Sequence, residues 1–136
     1  MTFQLADRLQ QDSFILVEDP HSFWLLLNNQ NFPWFILVPK TDKQELFELS
    51  AQAQKRLQAK TNQLSRFITE QFPFDKLNIA SIGNIVRQLH IHVIARSASD
   101  PCWPGVVWGT KHVTKYKQDD VEAIKEALQY FLSTSD

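Results

Sequence analysis

The chain has 136 residues, 43% hydrophobic and 21% charged, which is typical of a globular protein and argues against overall disorder. Its length suits one domain, which we place over residues 1–136. The formal net charge of −1 provides no basic field for DNA or RNA, although a small nucleotide needs only a local site.

The compartment can be predicted from the single cysteine and from the first residues. Cys102 cannot form an internal disulfide, which fits a reducing environment. The start of the chain lacks the basic and apolar stretches of a signal peptide, and the apolar run at residues 35–38 is far too short to cross a bilayer. We therefore expect a soluble cytoplasmic protein without membrane contact.

The first 40 residues predict a short helix and three strands. Residues 2–11 have leucines at helical spacing, with Thr2 as the expected cap. The apolar runs 14–17, 23–27 and 34–38 are separated by turn-forming residues. They indicate consecutive strands of an antiparallel meander.

A long amphipathic helix is predicted next. Thr41 and Gln44 have the spacing of a capping box at its start, and Pro73 ends it. Its apolar residues fall on one helical stripe: Leu46, Leu49, Ala53, Leu57, Leu64, Phe67 and Ile68.

The last third predicts two strands, an irregular segment and a final helix. The strands cover residues 77–82 and 88–96, and the helix begins at a cap on Asp119. Its stripe is Val121, Ile124, Leu128, Phe131 and Leu132. The fold class is therefore α+β, with about five antiparallel strands, one long helix and helical ends.

The chemistry is concentrated in two histidines on the last predicted strand. Because side chains alternate along a strand, His90 and His92 share one face and can reach the same ligand group. Three interpretations remain open from the residues alone: a solvated strand face, a metal pair, or a nucleophile with a phosphate-orienting partner. The preceding Gly83 and Asn84 form either an ordinary turn or a phosphate-binding loop.

A metal site needs a third ligand, which the sequence does not supply at short spacing. The next carboxylate is Asp100, and His21 and His112 lie in unrelated segments. We therefore expect no metal and no other cofactor.

Residues 77–96, with Gly83 and Asn84 ahead of Gln88-Leu89-His90-Ile91-His92, resemble the active-site strand pair of histidine triad proteins. The run 31–40 resembles the family's apolar strand that ends in proline and a basic residue. The segment 100–109 is similar to a bacterial branch described as dinucleoside polyphosphate hydrolases. The resemblance spans roughly residues 14–110.

The resemblance implies roles for individual residues. His90 matches the nucleophilic histidine, His92 the phosphate contact and Gln88 the first triad position. The implied substrate-binding residues are Gly83 and Asn84 of the phosphate loop, Asn78 upstream and Asn28 at the ribose.

The implied activity is hydrolysis or nucleotidyl transfer at the α-phosphate of dinucleoside polyphosphates or nucleoside phosphoramidates, with an adenosine-type nucleotide and a homodimer. A backbone carbonyl accepting the Nδ1 proton of His90 would direct Nε2 at phosphorus. Gln88 and Trp34 stand where the family has supporting histidines, and neither relays a proton near neutral pH. They favour the alternative, a nucleotide-binding module with little or no turnover.

Three further features have two interpretations each. Arg96 and Lys40 either add positive charge near a polyphosphate or are solvated strand ends. The segment Trp103 to Trp108 either lines a ligand pocket or fills the core or a dimer contact.

Overall fold

The computed structural model of the protein describes residues 2–135, which form three α-helices and a five-stranded antiparallel sheet. The elements in chain order are α1 (Asp7–Asp12), β1 (Ser13–Glu18), β2 (Ser22–Leu27), β3 (Trp34–Pro39), a 3₁₀ turn (Leu46–Glu48), α2 (Ala51–Gln71), β4 (Lys76–Ala80), β5 (Ile91–Arg96) and α3 (Gln118–Thr134). The predicted α+β class is confirmed.

The strand order is β1-β2-β3-β5-β4, with every neighbouring pair antiparallel. The first three strands form the predicted meander. β5 then inserts between β3 and β4, so that His92 lies beside Ile36 on one side and Ala80 on the other. The histidine strand is therefore held by hydrogen bonds along both edges.

One face of the sheet packs against α2 and α3. The odd-numbered residues of the histidine segment point here, as the alternation predicts, and join the larger hydrophobic core. The predicted stripe of α3 also packs here, with Val121 and Leu128 fully buried. This face is filled by apolar side chains and gives the sheet its support.

The opposite face carries a second, smaller core together with both histidines. Its members come from α1 and the segment before it, from β2, from Phe32 and the even-numbered positions of β3, and from Ile94 of β5 and Val107. Because α1 and the segment after β5 cover only part of this face, a pocket is left above His92.

The predicted helix starts are wrong in all three cases. α1 begins at Asp7 rather than near Thr2, because Gln88 binds the backbone of residues 4 and 6. α2 begins at Ala51, where the Ser50 side chain accepts from the Ala53 N–H. α3 begins at Gln118 after Lys117, so Asp119 lies in its first turn instead of capping it.

The predicted capping box at Thr41 is a local turn. The Thr41 hydroxyl accepts from the Lys43 N–H, and a capping box forms instead between Glu45 and Glu48 of the 3₁₀ turn. Leu46 and Leu49 therefore lie outside α2, although Leu49 is still buried in the core.

The two last strands are shorter than predicted, because residues 81–90 form a loop between β4 and β5. β5 begins at Ile91, which places His90 directly before the strand and His92 within it. The shared face of the two histidines is nevertheless confirmed.

Arg96 fits neither predicted interpretation, because it is a buried structural residue with 2% of its surface exposed. Its guanidinium donates two hydrogen bonds to the Asp100 carboxylate, at 2.8 and 3.1 Å, and one to Asn78 Oδ1 at 2.9 Å. A buried arginine requires such partners, so these contacts fix the end of β5. Lys40 pairs with the half-exposed Glu18 at 2.7 Å.

Within residues 2–135, no helix combines the length and the apolar character that crossing a membrane requires.

Candidate active site

His90 and His92 meet on the second face of the sheet, with their ring centroids 4.8 Å apart and their planes at 70°. His90 is only 5% exposed and His92 only 6%. Buried polar side chains need hydrogen-bond partners, and each ring has a different one.

The backbone carbonyl of Gln88 lies 2.6 Å from Nδ1 of His90. Since a carbonyl oxygen only accepts, the Nδ1 of a neutral His90 carries the proton and Nε2 keeps its lone pair. The Gln88 carbonyl thus lies where the predicted acceptor for this proton is expected. Desolvation lowers the pKa of His90 and outweighs the opposite effect of the Gln88 bond, so the ring is neutral at pH 7.

In His92 the role of Nδ1 is reversed, because this nitrogen accepts a hydrogen bond. The indole Nε1–H of Trp34 donates to its Nδ1 at 2.9 Å, and its Nε2 is buried without a hydrogen-bond partner among residues 2–135. Desolvation, together with the neighbouring His90, lowers the pKa of His92 to about 4, although the Ile82 carbonyl acts in the opposite direction.

Two tryptophans enclose His92. The ring centroid of Trp34 lies 5.7 Å from that of His92, and Trp108 lies 5.4 Å from it on an edge-to-face contact. The two indoles are themselves 5.9 Å apart. The segment Trp103 to Trp108, for which the sequence allows two interpretations, is therefore divided between them. Trp108 lines the pocket, Val107 fills the second core and Trp103 is 38% exposed.

Two cavities meet at His90 and Asn84. One, of about 350 Å³, is mainly apolar and contains both indoles, His92 and the side chains of α1. The other, of about 420 Å³, is mainly polar and is lined by Arg87, Gln44 and Glu45. The free Nε2 of His90 thus belongs to a ring that borders an apolar and a polar compartment.

The loop 81–90 depends on Gly83. A Cβ atom at this position would lie 2.8 Å from the carbonyl oxygen of Val86, closer than real Cβ contacts allow. The loop therefore folds back on itself only with glycine here. Asn84 follows on this turn, exposed, and lines both cavities.

We compared the sequence and the structure with known proteins. The sequence matches the HIT domain family over residues 8–99, more than half of the chain. The chain belongs to the HIT family. This histidine triad family includes nucleotide-binding proteins and nucleotide hydrolases.

Solved HIT proteins have nearly the same fold. A histidine triad protein from Marinobacter aquaeolei is 40% identical, with a TM-score of 0.89 and 96% of each chain covered. One from Sinorhizobium meliloti is 36% identical, with a TM-score of 0.90 and coverage of 95% of this chain and 96% of that one. No curated protein matches this HIT chain.

The side chain of Gln88, at the first triad position, forms its hydrogen bonds with the N-terminal segment and none with the His90 ring. Its amide donates to the Gln4 carbonyl at 2.9 Å and accepts from the Ala6 N–H at 2.9 Å. In this HIT protein, Gln88 therefore anchors the N-terminal segment through its side chain and orients His90 through its backbone.

Two of the predicted substrate-binding residues have hydrogen-bond partners within the protein. Asn78 Oδ1 accepts from buried Arg96, and Asn78 lines neither cavity at His90. Asn28 Oδ1 accepts from the Tyr116 N–H at 2.8 Å, and Asn28 lines a cavity of about 440 Å³ that adjoins the apolar one and shares Trp34, Trp108 and four further lining residues with it.

Sequence reasoning missed Arg87, Arg8 and Asp12 as pocket residues. Arg87 follows the phosphate-loop pair by three residues, which is a signal that could have been used. Arg8 and Asp12 belong to α1, and only the folded chain brings them near the histidines.

Within residues 2–135, no three His, Cys, Asp or Glu side chains come close enough to hold a metal ion. The histidine pair therefore has no third protein ligand of the kind that a zinc site uses.

The lowered pKa of His92 predicts that stability depends on pH. In the folded protein His92 has a pKa of about 4, whereas in the unfolded chain its pKa is the ordinary 6.5. Well above pH 6.5 the ring is unprotonated in both states, so it does not make the free energy of unfolding depend on pH. As the pH falls below that value, protons bind preferentially to the unfolded chain, so the free energy of unfolding decreases, by about 2 kcal/mol between pH 7 and pH 5.

Urea unfolding at pH 7, 6 and 5 measures this loss, and His92→Gln isolates the contribution of the ring. We expect a shallower decrease in the variant than in the wild type. Equal decreases in the two proteins would show that His92 is protonated normally in the folded state.

Proposed function

We propose that this HIT protein cleaves nucleotides at the α-phosphate through a covalent nucleotidyl-His90. Its substrates are dinucleoside polyphosphates or nucleoside phosphoramidates, and the nucleotide is of the adenosine type. The observation that carries the proposal is the bond from His90 Nδ1–H to the Gln88 carbonyl, because it leaves the Nε2 lone pair for attack.

The two cavities support a division of the substrate. The apolar cavity of about 350 Å³, with its two indoles, suits a nucleoside, which has a flat aromatic base. The polar cavity of about 420 Å³ suits the leaving part, with Arg87 available to an anionic group. The α-phosphate would then lie between them, at His90 and Asn84.

In the first step, Nε2 of His90 forms a bond to phosphorus while the bond from phosphorus to the leaving group breaks and the leaving group takes the electron pair. His92, Gly83 and Asn84 supply hydrogen-bond donors to the non-bridging oxygens. In the second step, water attacks phosphorus, the P–N bond breaks, and its electron pair returns to Nε2. The attacking water releases one proton to the solvent, and the products are a nucleoside monophosphate, carrying the oxygen of the water, and neutral His90.

The alternative is a nucleotide-binding module with little or no turnover. It is favoured by the hydrogen bonds of Gln88 and Trp34, since both side chains are committed to fixed partners and neither indole nor amide relays a proton near neutral pH. The two functions differ in whether bound nucleotide is released as product.

A quench assay distinguishes them. We expect the wild type to release mononucleotide from diadenosine tetraphosphate or from an adenosine phosphoramidate, and His90→Ala to lose this release because it has no nucleophile. His112→Ala is the matched control, since His112 is exposed and lines neither cavity, and it should retain the activity.

If the wild type binds both compounds without releasing product, the binding module becomes the better account. Equal release by wild type and His90→Ala would contradict the covalent mechanism. The ratio of the two rates ranks the two substrate classes.

We also propose that the protein is a homodimer formed through β4. This strand is at the edge of the sheet, and its outer hydrogen-bonding groups are not paired by any strand among residues 2–135. Ile79 on this strand is 52% exposed, and Phe47 and Leu46, on the 3₁₀ turn, are 82% and 41% exposed. Exposed apolar side chains beside an unpaired edge favour association with a second chain.

Light scattering should give twice the 15.8 kDa mass of the chain for the wild type. Ile79→Lys should shift the mass to that of a monomer, whereas Tyr130→Lys, on α3 and 72% exposed, should not. A monomeric wild type would contradict this assembly.

A further inference from the structure

We propose that Trp34 is a positioning residue, which holds His92 in a single neutral tautomer so that its Nε2–H is the donor offered to a bound phosphate. The indole takes this role by donating to Nδ1 of His92 at 2.9 Å.

The direction of this hydrogen bond is unambiguous. An indole N–H has no acceptor atom, so Nδ1 of His92 must accept and cannot carry a proton while the bond exists. A neutral imidazole then carries its proton on Nε2. That atom is shielded from solvent, and although the Ile82 carbonyl is near enough to raise the pKa of His92, Nε2–H makes no well-aligned hydrogen bond among residues 2–135. A ligand oxygen would supply that bond.

The indole is fixed by its surroundings. Trp34 is 6% exposed and starts β3, where it lies opposite Ile94 of β5. Its ring makes edge contacts with Phe32 at 6.3 Å and with Trp108 at 5.9 Å. It cannot turn away from His92 without opening the second core, so the donor is already in place before a ligand binds.

Few charged groups compete with this bond. His90 is the nearest titratable side chain, and its own Nδ1 proton is used by the Gln88 carbonyl. From α1, Arg8 and Asp12 line the same cavity and pair with each other at 3.4 Å. β3 and β4 place Ile36 and Ala80 beside His92, and neither side chain titrates.

The two histidines are thus held in opposite tautomers by two different partners. A carbonyl leaves His90 with a free lone pair, whereas an indole leaves His92 with a free N–H. In the setting of the proposed function, the first is the nucleophile. The second is a donor that stays neutral because its only unprotonated nitrogen, Nδ1, already accepts from the indole and would have to lose that bond to take up a proton.

The direct test is nuclear magnetic resonance of the wild-type protein with ¹⁵N-labelled histidine and tryptophan. We expect a scalar coupling across the hydrogen bond between Trp34 Nε1 and His92 Nδ1, and the Nε2–H pattern for His92 at pH 7. This measurement needs neither substrate nor turnover, so it remains decisive even if no activity is found.

Two variants separate the hydrogen bond from packing. Trp34→Phe removes the donor and keeps an aromatic ring, and we expect mixed tautomers for His92 and a titration midpoint above the wild-type value of about 4. Trp108 packs on the same imidazole, but its indole N–H has no hydrogen-bond partner among residues 2–135, so Trp108→Phe removes no hydrogen bond to His92. It should leave the tautomer of His92 unchanged.

Where turnover is measurable, the acidic limb of kcat/KM should move to higher pH in Trp34→Phe and not in Trp108→Phe. Absence of the coupling in the wild type would overturn the proposal. The proposal would also be overturned if His92 kept its wild-type tautomer in Trp34→Phe, or if both variants changed its titration equally. Burial alone would then determine the protonation of His92.

Discussion

A backbone carbonyl just before β5 takes the Nδ1 proton of His90, across 2.6 Å, inside a site where the ring is almost fully buried. An imidazole in such surroundings is neutral, and the position of its single proton decides which nitrogen can react. That position depends on the loop 81–90. Gly83 lets the loop fold back on itself, and the Gln88 side chain ties it to residues 4 and 6. The N-terminal segment is therefore part of the architecture of the candidate site.

The two faces of the sheet differ in what they carry: one holds the larger apolar core, and the other holds the two histidines. α2 and α3 cover one face with apolar side chains, whereas the other face is covered less completely, by the N-terminal segment with α1, by the loop 81–90 and by the segment after β5. The incomplete cover leaves cavities on both sides of His90. Buried Arg96, bound by Asp100 and Asn78, holds the far end of β5, so that the strand is fixed at the end opposite His90.

Much of this could be predicted from the sequence because the relevant patterns are local. Alternation along the strands placed His90 and His92 on one face, and the apolar runs predicted the meander. The helix starts were not predictable in this way, because the hydroxyls of Thr41 and Ser50 both suit a cap and only packing selects Ser50. Gln88 likewise has an ordinary polar side chain until the fold brings residues 4 and 6 beside it.

The role of Trp34 lies beyond sequence reasoning for the same reason. Its contact with His92 depends on the register between β3 and β5, and nothing in the run 34–38 indicates where the indole nitrogen lies. The role of Arg96 could not be predicted from the sequence either. Its spacing to Asp100 suggests an ion pair on a helix, whereas this pair is buried and closes a turn after β5. Such contacts join segments that are distant in sequence, and composition and period do not report them.

The covalent step is tested most directly by looking for its product on the protein. Wild-type protein mixed with diadenosine tetraphosphate and quenched in alkaline denaturant, where a phosphorus–nitrogen bond survives, can be analysed by intact-mass and peptide mass spectrometry. The account predicts a transient gain of one mononucleotide, located on the peptide that contains His90 and formed before mononucleotide release reaches its steady rate. Release of product without any adduct, or an adduct on another residue, would contradict it.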